Sequence, residues 1–270
     1  MERSVKLKIF FGCISLLMFL CLMIQLSASG DASEALLESE PVLAGEDKGK
    51  KIMYLTFDDG PSCNTEKVLD ILDEYDAKAT FFVTNEFPDY ASLMKEEIKR
   101  GHAVGIHTYS HEYASIYANV QSYLDDIEKI QKVIQQQTGK PASFLRFPGG
   151  SSNTVSRQYC AGIMSELSER VTKMGYEYYD WNATNGDGDT GRDAAGIIAT
   201  AKQEINEQDI VMLLMHDGAG NSETVNALPE ILSYCKEKGF EFRVVDDSTP
   251  QFHHHINNYK TVWFPYCFLM

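Results

Sequence analysis

Two adjacent carboxylates, Asp58 and Asp59, are the first residues of this chain whose types and position could do chemistry. They follow a short apolar run at residues 52–55 that favours a β-strand, so they stand where that strand ends. Neighbouring anionic side chains repel each other. The pair becomes useful if it binds a cation, or if one carboxylate binds metal while the other accepts a proton. The Asp-Gly-Pro sequence at 59–61 is also a common turn signal, so the pair alone leaves a turn and a cation site as equal alternatives.

A pair of histidines further along the chain, His107 and His111, follows a second short apolar run at residues 103–106. If the segment is helical, the H-x3-H spacing places both imidazoles on one face, close enough to share an ion. No residue between the two histidines can act as a general base, so Asp58 or Asp59 is the candidate for that role. Two histidines without a ligand role are the alternative for an isolated H-x3-H pair. The carboxylate pair favours an open metal site with two histidines and one carboxylate, which is typical of catalytic zinc.

Five short motifs in this order resemble those of the polysaccharide deacetylases of carbohydrate esterase family 4, the NodB-homology type. The resemblance covers roughly residues 51–250, and five ordered motifs are far more specific than any one of them. The motifs are TFDDGPS at 56–62, HTYSH at 107–111, RFPGG at 146–150, the Asp180-Trp181 pair, and LLMHD at 213–217.

The resemblance implies a metal site and a separate base at the first two motifs. Asp59, His107 and His111 are expected to bind a divalent metal, Zn²⁺ in first place, with Co²⁺ or Ni²⁺ as alternatives. Asp58 is then the expected general base. This division is chemically sensible, because a carboxylate engaged by a cation is a weaker base than its free neighbour.

The other three motifs are expected to supply the remaining catalytic groups. In the resemblance, Arg146 orients Asp58, and the backbone N–H of Gly149 donates to the developing oxyanion. His216 is the expected general acid for the departing amine, and Asp180 is expected to pair with it and raise its pKa. Read without the other motifs, such an arginine is more often a surface ion-pair partner and such a histidine a core residue.

Two apolar residues, Trp181 and Leu214, are expected to line a pocket for the acetyl methyl group, with plain core packing as the alternative. Many relatives carry a bulkier residue at the position of Gly149, so the side-chain wall of the substrate groove is left open here. The segment 182–192 contains several Asp and Gly residues but lacks the closing Glu of an EF-hand, and it is interpreted as a polar loop.

The elements that position these residues alternate between strand and helix, which predicts one α/β domain with a mainly parallel sheet or a barrel. All five motifs fall at or just beyond the ends of candidate strands, where a βα-barrel assembles its site. The resemblance implies a distorted (β/α)7 or (β/α)8 barrel, with which seven candidate strands agree. The candidate strands are residues 52–57, 79–83, 103–106, 144–146, 176–180, 210–215 and 240–245. The candidate helices are residues 65–75, 94–100, 120–137, 155–174, 194–206 and 225–238.

The N-terminal thirty residues have the composition of an export signal, either cleaved or kept as a membrane anchor. Three basic residues precede an uncharged, largely apolar stretch from residue 9 to residue 30. This predicts a secreted or membrane-anchored protein that works outside the cytoplasm, with membrane contact through this segment alone. Residues 31–50 are polar and acidic and are interpreted as a linker.

The charge of the remaining chain argues against a nucleic-acid partner. Residues 1–30 hold three basic residues and one acidic residue, which leaves 21 basic and 38 acidic residues and a net charge of −17. Nucleic-acid binding needs a basic surface, whereas a neutral or cationic polymer is compatible with this charge. Solubility alone is an equally good explanation of the charge.

The resulting hypothesis is a monomeric, metal-dependent deacetylase that acts on a cell-wall glycan, with the N-acetylglucosamine of peptidoglycan as the first choice. The alternatives are deacetylation of chitin or poly-N-acetylglucosamine oligomers, an esterase acting on O-acetylated xylan, and a non-catalytic wall-binding module. Residues 251–270, with histidines at 253–255, lie outside the pattern and are interpreted as a solvated tail rather than a metal site.

Overall fold

The structure, a computed structural model, describes residues 37–43 and 45–256. The predictions for residues 1–30 and 257–270 therefore lie outside the described residues. Within the described residues, eight strands form one sheet. They are β1 (Lys51–Asp58), β2 (Ala79–Val83), β3 (Ala103–Ile106), β4 (Phe144–Leu145), β5 (Glu177–Tyr178), β6 (Ala183–Thr184), β7 (Ile210–His216) and β8 (Phe240–Phe242).

The strands follow the order β5-β4-β3-β2-β1-β7-β6, and β8 pairs with the start of β1. Every strand pair is parallel, so the carboxyl ends of the strands share one edge of the sheet. The longest pairing joins β1 and β7 and ends at the Asp58–His216 pair. This confirms the predicted α/β sheet and places all five motifs at the same edge. Strand β6 was not predicted, because two residues carry no readable alternation.

Seven α-helices cover the outer face within the described residues. They are Thr65–Glu74, Leu93–Lys99, Tyr113–Ile116, Val120–Thr138, Ile163–Lys173, Ala194–Ile205 and Ser222–Glu237. The single predicted helix at 155–174 is instead a 3-10 turn at Val155–Gln158 followed by an α-helix, because Gly162 between them adopts a φ of 81°. The short helix Tyr113–Ile116 was also not predicted. No helix within residues 37–43 and 45–256 has both the length and the apolar character needed to cross a bilayer.

Side chains of the sheet pack on two sides, as the alternation along β1 shows. Met53, Leu55 and Phe57 join the large cluster beneath the helices, whereas Ile52 and Tyr54 join a second, smaller cluster. The smaller cluster also contains Phe252, so it includes a residue of the predicted tail.

The segment 251–256 is part of the fold, and the prediction of a solvated tail is wrong for these residues. The backbone N–H of Asp180 donates to the carbonyl of Phe252 at 2.7 Å. His254 is fully buried and forms an antiparallel bridge with Leu37, and the His253 ring stacks on Tyr178 at 3.8 Å. Only tertiary contacts order this segment, which explains why no sequence periodicity predicted it.

Candidate active site

Asp59, His107 and His111 each present one ligand atom to a common space at the carboxyl ends of β1 and β3. Oδ1 of Asp59 lies 3.5 Å from Nε2 of His107 and 3.5 Å from Nε2 of His111. The three ligand atoms all lie within 4.8 Å of one another. Oδ1 of Asp59 is buried without a hydrogen-bond partner, which is costly unless a cation compensates for it. This donor set fits a divalent metal ion of the zinc type that retains open coordination positions.

The two histidines meet through a turn and not through a helix, so the helical basis suggested for their spacing is wrong. The segment between β3 and the helix Tyr113–Ile116 is irregular, and His111 has a φ of 53°. The hydroxyl of Thr108 accepts a hydrogen bond from the backbone N–H of His111 and closes the turn. The two rings lie 5.2 Å apart as a result. Asp59 has a φ of 73°, and such strained backbone is concentrated at functional sites.

The His107 ring is prepared to act as a metal ligand. Its Nδ1 lies 2.8 Å from the carbonyl oxygen of Arg146, so Nδ1 carries the proton and donates, and Nε2 keeps its lone pair. Burial lowers the pKa of His107 and outweighs the opposite effect of Asp58 and Asp59. The imidazole is therefore neutral at physiological pH, as ligation requires.

Asp58 is buried beside the metal site and paired with a buried arginine. Nη1 of Arg146 donates to Oδ1 of Asp58 at 3.0 Å. Nη1 also donates to the hydroxyl of Thr56 at 2.6 Å, and Nε and Nη2 donate to the carbonyls of Tyr179 and Asp180 at 3.0 and 2.8 Å. Arg146 is fully buried, so these bonds hold a charge that water does not reach. Oδ2 of Asp58 lies 3.9 Å from Nε2 of His107, close to the ligand atoms but outside their set.

The turn after Arg146 brings backbone groups to the same edge. Gly149 and Gly150 have φ angles of 74° and 78°, which L side chains rarely adopt. A Cβ at Gly150 would lie 2.9 Å from the ring of Trp181, so the glycine lets the indole pack directly against the turn. Leu214 is nearly buried on β7, in register with Thr56 of β1. Both apolar residues thus lie at this end of the sheet, and their role with the acetyl group stays a prediction.

His216, at the end of β7, is paired with Asp187 from the loop after β6. Nδ1 of His216 lies 2.7 Å from Oδ1 of Asp187, whose side chain is 1% exposed. Oδ2 of Asp187 accepts from the backbone N–H of His216 at 2.8 Å and from the hydroxyl of Thr224 at 2.6 Å. Burial alone would lower the pKa of His216, but the hydrogen bond and charge of Asp187 raise it to about 9. The imidazole is therefore protonated at neutral pH.

The prediction that Asp180 pairs with His216 is wrong. The carboxylate of Asp180 instead accepts from the backbone N–H of Ser151 at 2.7 Å, from the Ser151 hydroxyl at 2.5 Å and from the backbone N–H of His254 at 2.8 Å. The sheet order explains the difference, since Asp180 follows β5 at one end of the sheet. The loop after β6 lies next to β7, and that loop carries Asp187.

Asp187 was missed because its segment was interpreted as a polar loop without a site. The sequence offered only an Asp in a glycine-rich run, which by itself does not identify a partner for His216. The carboxylate of Asp180 instead has a structural role, because it links the end of the Gly149–Gly150 turn to the segment 251–256. That segment is held further by His254, whose Nε2 lies 2.6 Å from the carbonyl of Trp181.

An open cavity of about 480 Å³ adjoins the metal site and His216. It is lined by Asp59, Asp187, His216 and the loops at 188–192 and 220–224. Glu223 and Asp189 add two more carboxylates to its lining. The positive charge of Arg192, which also lines the cavity, is paired with Asp189, with 2.7 Å between Nη2 and Oδ2. The cavity gives the reacting groups access to a molecule larger than a single water.

The family model for polysaccharide deacetylase matches residues 45–163. The chain is 34% identical over 217 residues to a peptidoglycan-N-acetylglucosamine deacetylase of Bacillus cereus, a match that covers 75% of this chain and 72% of the relative. Among solved structures, it is similar to the catalytic domain of a peptidoglycan N-acetylglucosamine deacetylase from Eubacterium rectale. That similarity has a TM-score of 0.76 and 42% identity, and it covers 82% of this chain and 98% of the other.

A Bacillus cereus polysaccharide deacetylase has a TM-score of 0.63 and 30% identity, with 73% of this chain and 93% of the other covered. Because the match to the Eubacterium domain spans nearly its whole length, the predicted distorted barrel is confirmed. The resemblance inferred from the five motifs is confirmed as well.

Proposed function

Because this chain belongs to the polysaccharide deacetylase family of hydrolases, we propose that it hydrolyses the N-acetyl groups of N-acetylglucosamine in peptidoglycan and releases acetate. One observation carries the proposal. The ligand set Asp59, His107 and His111 lies at the same edge of the sheet as a separately held carboxylate, Asp58, and a protonated histidine, His216. Amide hydrolysis by water needs these three parts, namely an activating site, a base and an acid for the leaving nitrogen.

The ligand set would hold a divalent metal, for which Zn²⁺ is the first choice and Co²⁺ or Ni²⁺ are alternatives. When bound, such an ion lowers the pKa of water and polarises a carbonyl group. The neutral His107 and the unpartnered oxygen of Asp59 support this assignment.

Asp58 accepts the proton from the attacking water. Arg146 holds Oδ1 of Asp58 by a hydrogen bond and an ion pair, which leaves Oδ2 on the side of the ligand atoms. Because Arg146 is itself held by three further acceptors, the base has one orientation. Because its orientation is fixed, the carboxylate of Asp58 is already placed to accept a proton from the attacking water.

His216 donates its proton to the amine as the C–N bond breaks, so that acetate and a free amino sugar leave. Asp187 keeps the ring protonated near neutral pH and fixes the proton on Nδ1, directing Nε2 at the cavity. The backbone N–H of Gly149 stabilises the oxygen on which negative charge develops. Trp181 and Leu214 bound the space for the acetyl methyl group.

The peptidoglycan substrate is supported by the relatives named above and by the export-type sequence of residues 1–30. The proposal places the enzyme outside the cytoplasm, where the wall polymer is, either secreted or anchored by that segment. Chitin or poly-N-acetylglucosamine oligomers are the second candidate substrates. A wall-binding module without activity is disfavoured, because each ligand and both proton-transfer groups are present.

The test is acetate release by the purified protein from peptidoglycan fragments, from chitin oligomers and from acetylated xylan. We expect release from peptidoglycan with one free amine formed per acetate, loss of release after chelation, and recovery on addition of Zn²⁺. Retained wall binding without acetate release, in the presence of added metal, would contradict the proposal.

A further inference from the structure

The phenol of Tyr113 lies beside the metal ligands and has no part in the reaction described so far. Tyr113 begins the short helix Tyr113–Ile116, two residues after His111. Its ring packs edge-on against the His111 ring at 5.6 Å and against the Tyr117 ring at 5.4 Å. The hydroxyl of Tyr117 donates to the carbonyl of Pro148 at 2.7 Å, so Tyr113 lies between a metal ligand and the turn that carries Gly149.

The oxygen of this phenol occupies the space in which a side chain of residue 149 would begin. A Cβ at Gly149 would lie 2.7 Å from Oη of Tyr113, closer than real Cβ contacts permit. Together with its φ of 74°, this means that glycine at 149 lets the phenol reach the turn. The space that a side chain of residue 149 would occupy is thus filled by the phenol of Tyr113.

The Tyr113 hydroxyl is also available to a bound molecule. Within residues 37–43 and 45–256, Oη of Tyr113 has no protein hydrogen-bond partner, whereas Oη of Tyr117 has one. The Tyr113 side chain is partly exposed, and its oxygen lies beside the Gly149 backbone. A phenol ordinarily has a pKa near 10 and is a hydrogen-bond donor at neutral pH.

We propose that the Tyr113 hydroxyl is a second hydrogen-bond donor to the oxygen of the scissile acetamide, acting beside the backbone N–H of Gly149. The inference rests on the proposed deacetylase function. A donor aimed at charge that develops in the transition state stabilises that state more than the ground state, so its loss lowers kcat and leaves KM nearly unchanged.

Tyr113→Phe tests the inference because it removes one oxygen and keeps the ring against His111. Loss of a single oxyanion donor costs about 10²–10³ in kcat, and since Gly149 remains, we expect a fall of about 10–100-fold with KM within about threefold. Bound metal and the midpoint of urea unfolding should equal those of the unaltered protein. Tyr75→Phe is the matched control, since Tyr75 ends the helix Thr65–Glu74, away from the site, and should keep full kcat.

A kcat of Tyr113→Phe within twofold of the unaltered protein would overturn the inference, and so would a rise in KM at constant kcat. If the unaltered protein releases no acetate in the same assay, the proposed function fails and the inference fails with it. Full activity of the unaltered protein with an unaffected Tyr113→Phe refutes the inference alone.

Discussion

Asp187→Asn should displace the alkaline limit of activity to lower pH, because Asp187 is the group that keeps His216 protonated. The pKa of His216 is about 9, against 6.5 for an unperturbed imidazole. Removing the negative charge leaves the burial that lowers this pKa, opposed by the smaller effect of Asp59 and Asp58, so the pKa of His216 in the variant should return to near 6.5. The protonated form is the active one, and it is present below the pKa and lost as the pH rises through it.

The size of the effect follows from the two pKa values. At pH 8, about nine-tenths of His216 is protonated when the pKa is about 9, and about 3% when it is 6.5. The variant should therefore lose about 30-fold in kcat/KM at pH 8 but less than about twofold at pH 6. The assay is acetate release by the zinc-loaded enzyme across this pH range.

Asp189→Asn is the matched control, since Asp189 belongs to the same loop, is exposed and pairs with Arg192. The pH at which its activity falls on the alkaline side should equal that of the unaltered protein. An Asp187→Asn deficit of equal size at pH 6 and pH 8 would refute the reasoning, because a purely structural role of Asp187 does not depend on the charge of His216.

The other predictions concern Arg146 and Asp180. Arg146→Lys cannot satisfy all four acceptors of the guanidinium, so we expect about 1–3 kcal/mol less free energy of unfolding in urea, together with slower turnover. A loss below about 0.5 kcal/mol would contradict the buried contacts of Arg146. Asp180→Asn should lower the melting temperature, because an amide nitrogen would face the N–H of Ser151 or of His254. The pH at which activity falls on the alkaline side should be the same in Asp180→Asn as in the unaltered protein. A shift of that pH like the one expected for Asp187→Asn would show that Asp180 is the partner of His216 after all.

The sequence predicted the convergence of the site because parallel strands bring their carboxyl ends to one edge. Asp58, His107, Arg146 and His216 each follow or end a predicted strand, and strand periodicity survives in single sequences. The division of Asp58 and Asp59 into base and ligand came from the resemblance and is consistent with their different neighbours in the structure.

The partner of His216 could not be predicted, because its identity depends on β6, a strand of only two residues. Without β6 the chain after Asp180 appears as one polar loop, and Asp187 has no assigned neighbour. The segment 251–256 was misjudged for a related reason. Its order comes from contacts with Asp180, Trp181 and Leu37, which are remote in sequence.

The central claim is that the two adjacent carboxylates have different tasks, and it is tested most directly by measuring bound zinc and acetate release in Asp58→Asn and Asp59→Asn. We expect Asp58→Asn to bind zinc as the unaltered protein does while releasing no acetate, because Asp58 lies outside the ligand set. Asp59→Asn should lose zinc. Loss of zinc in Asp58→Asn, with zinc and activity retained in Asp59→Asn, would contradict the account.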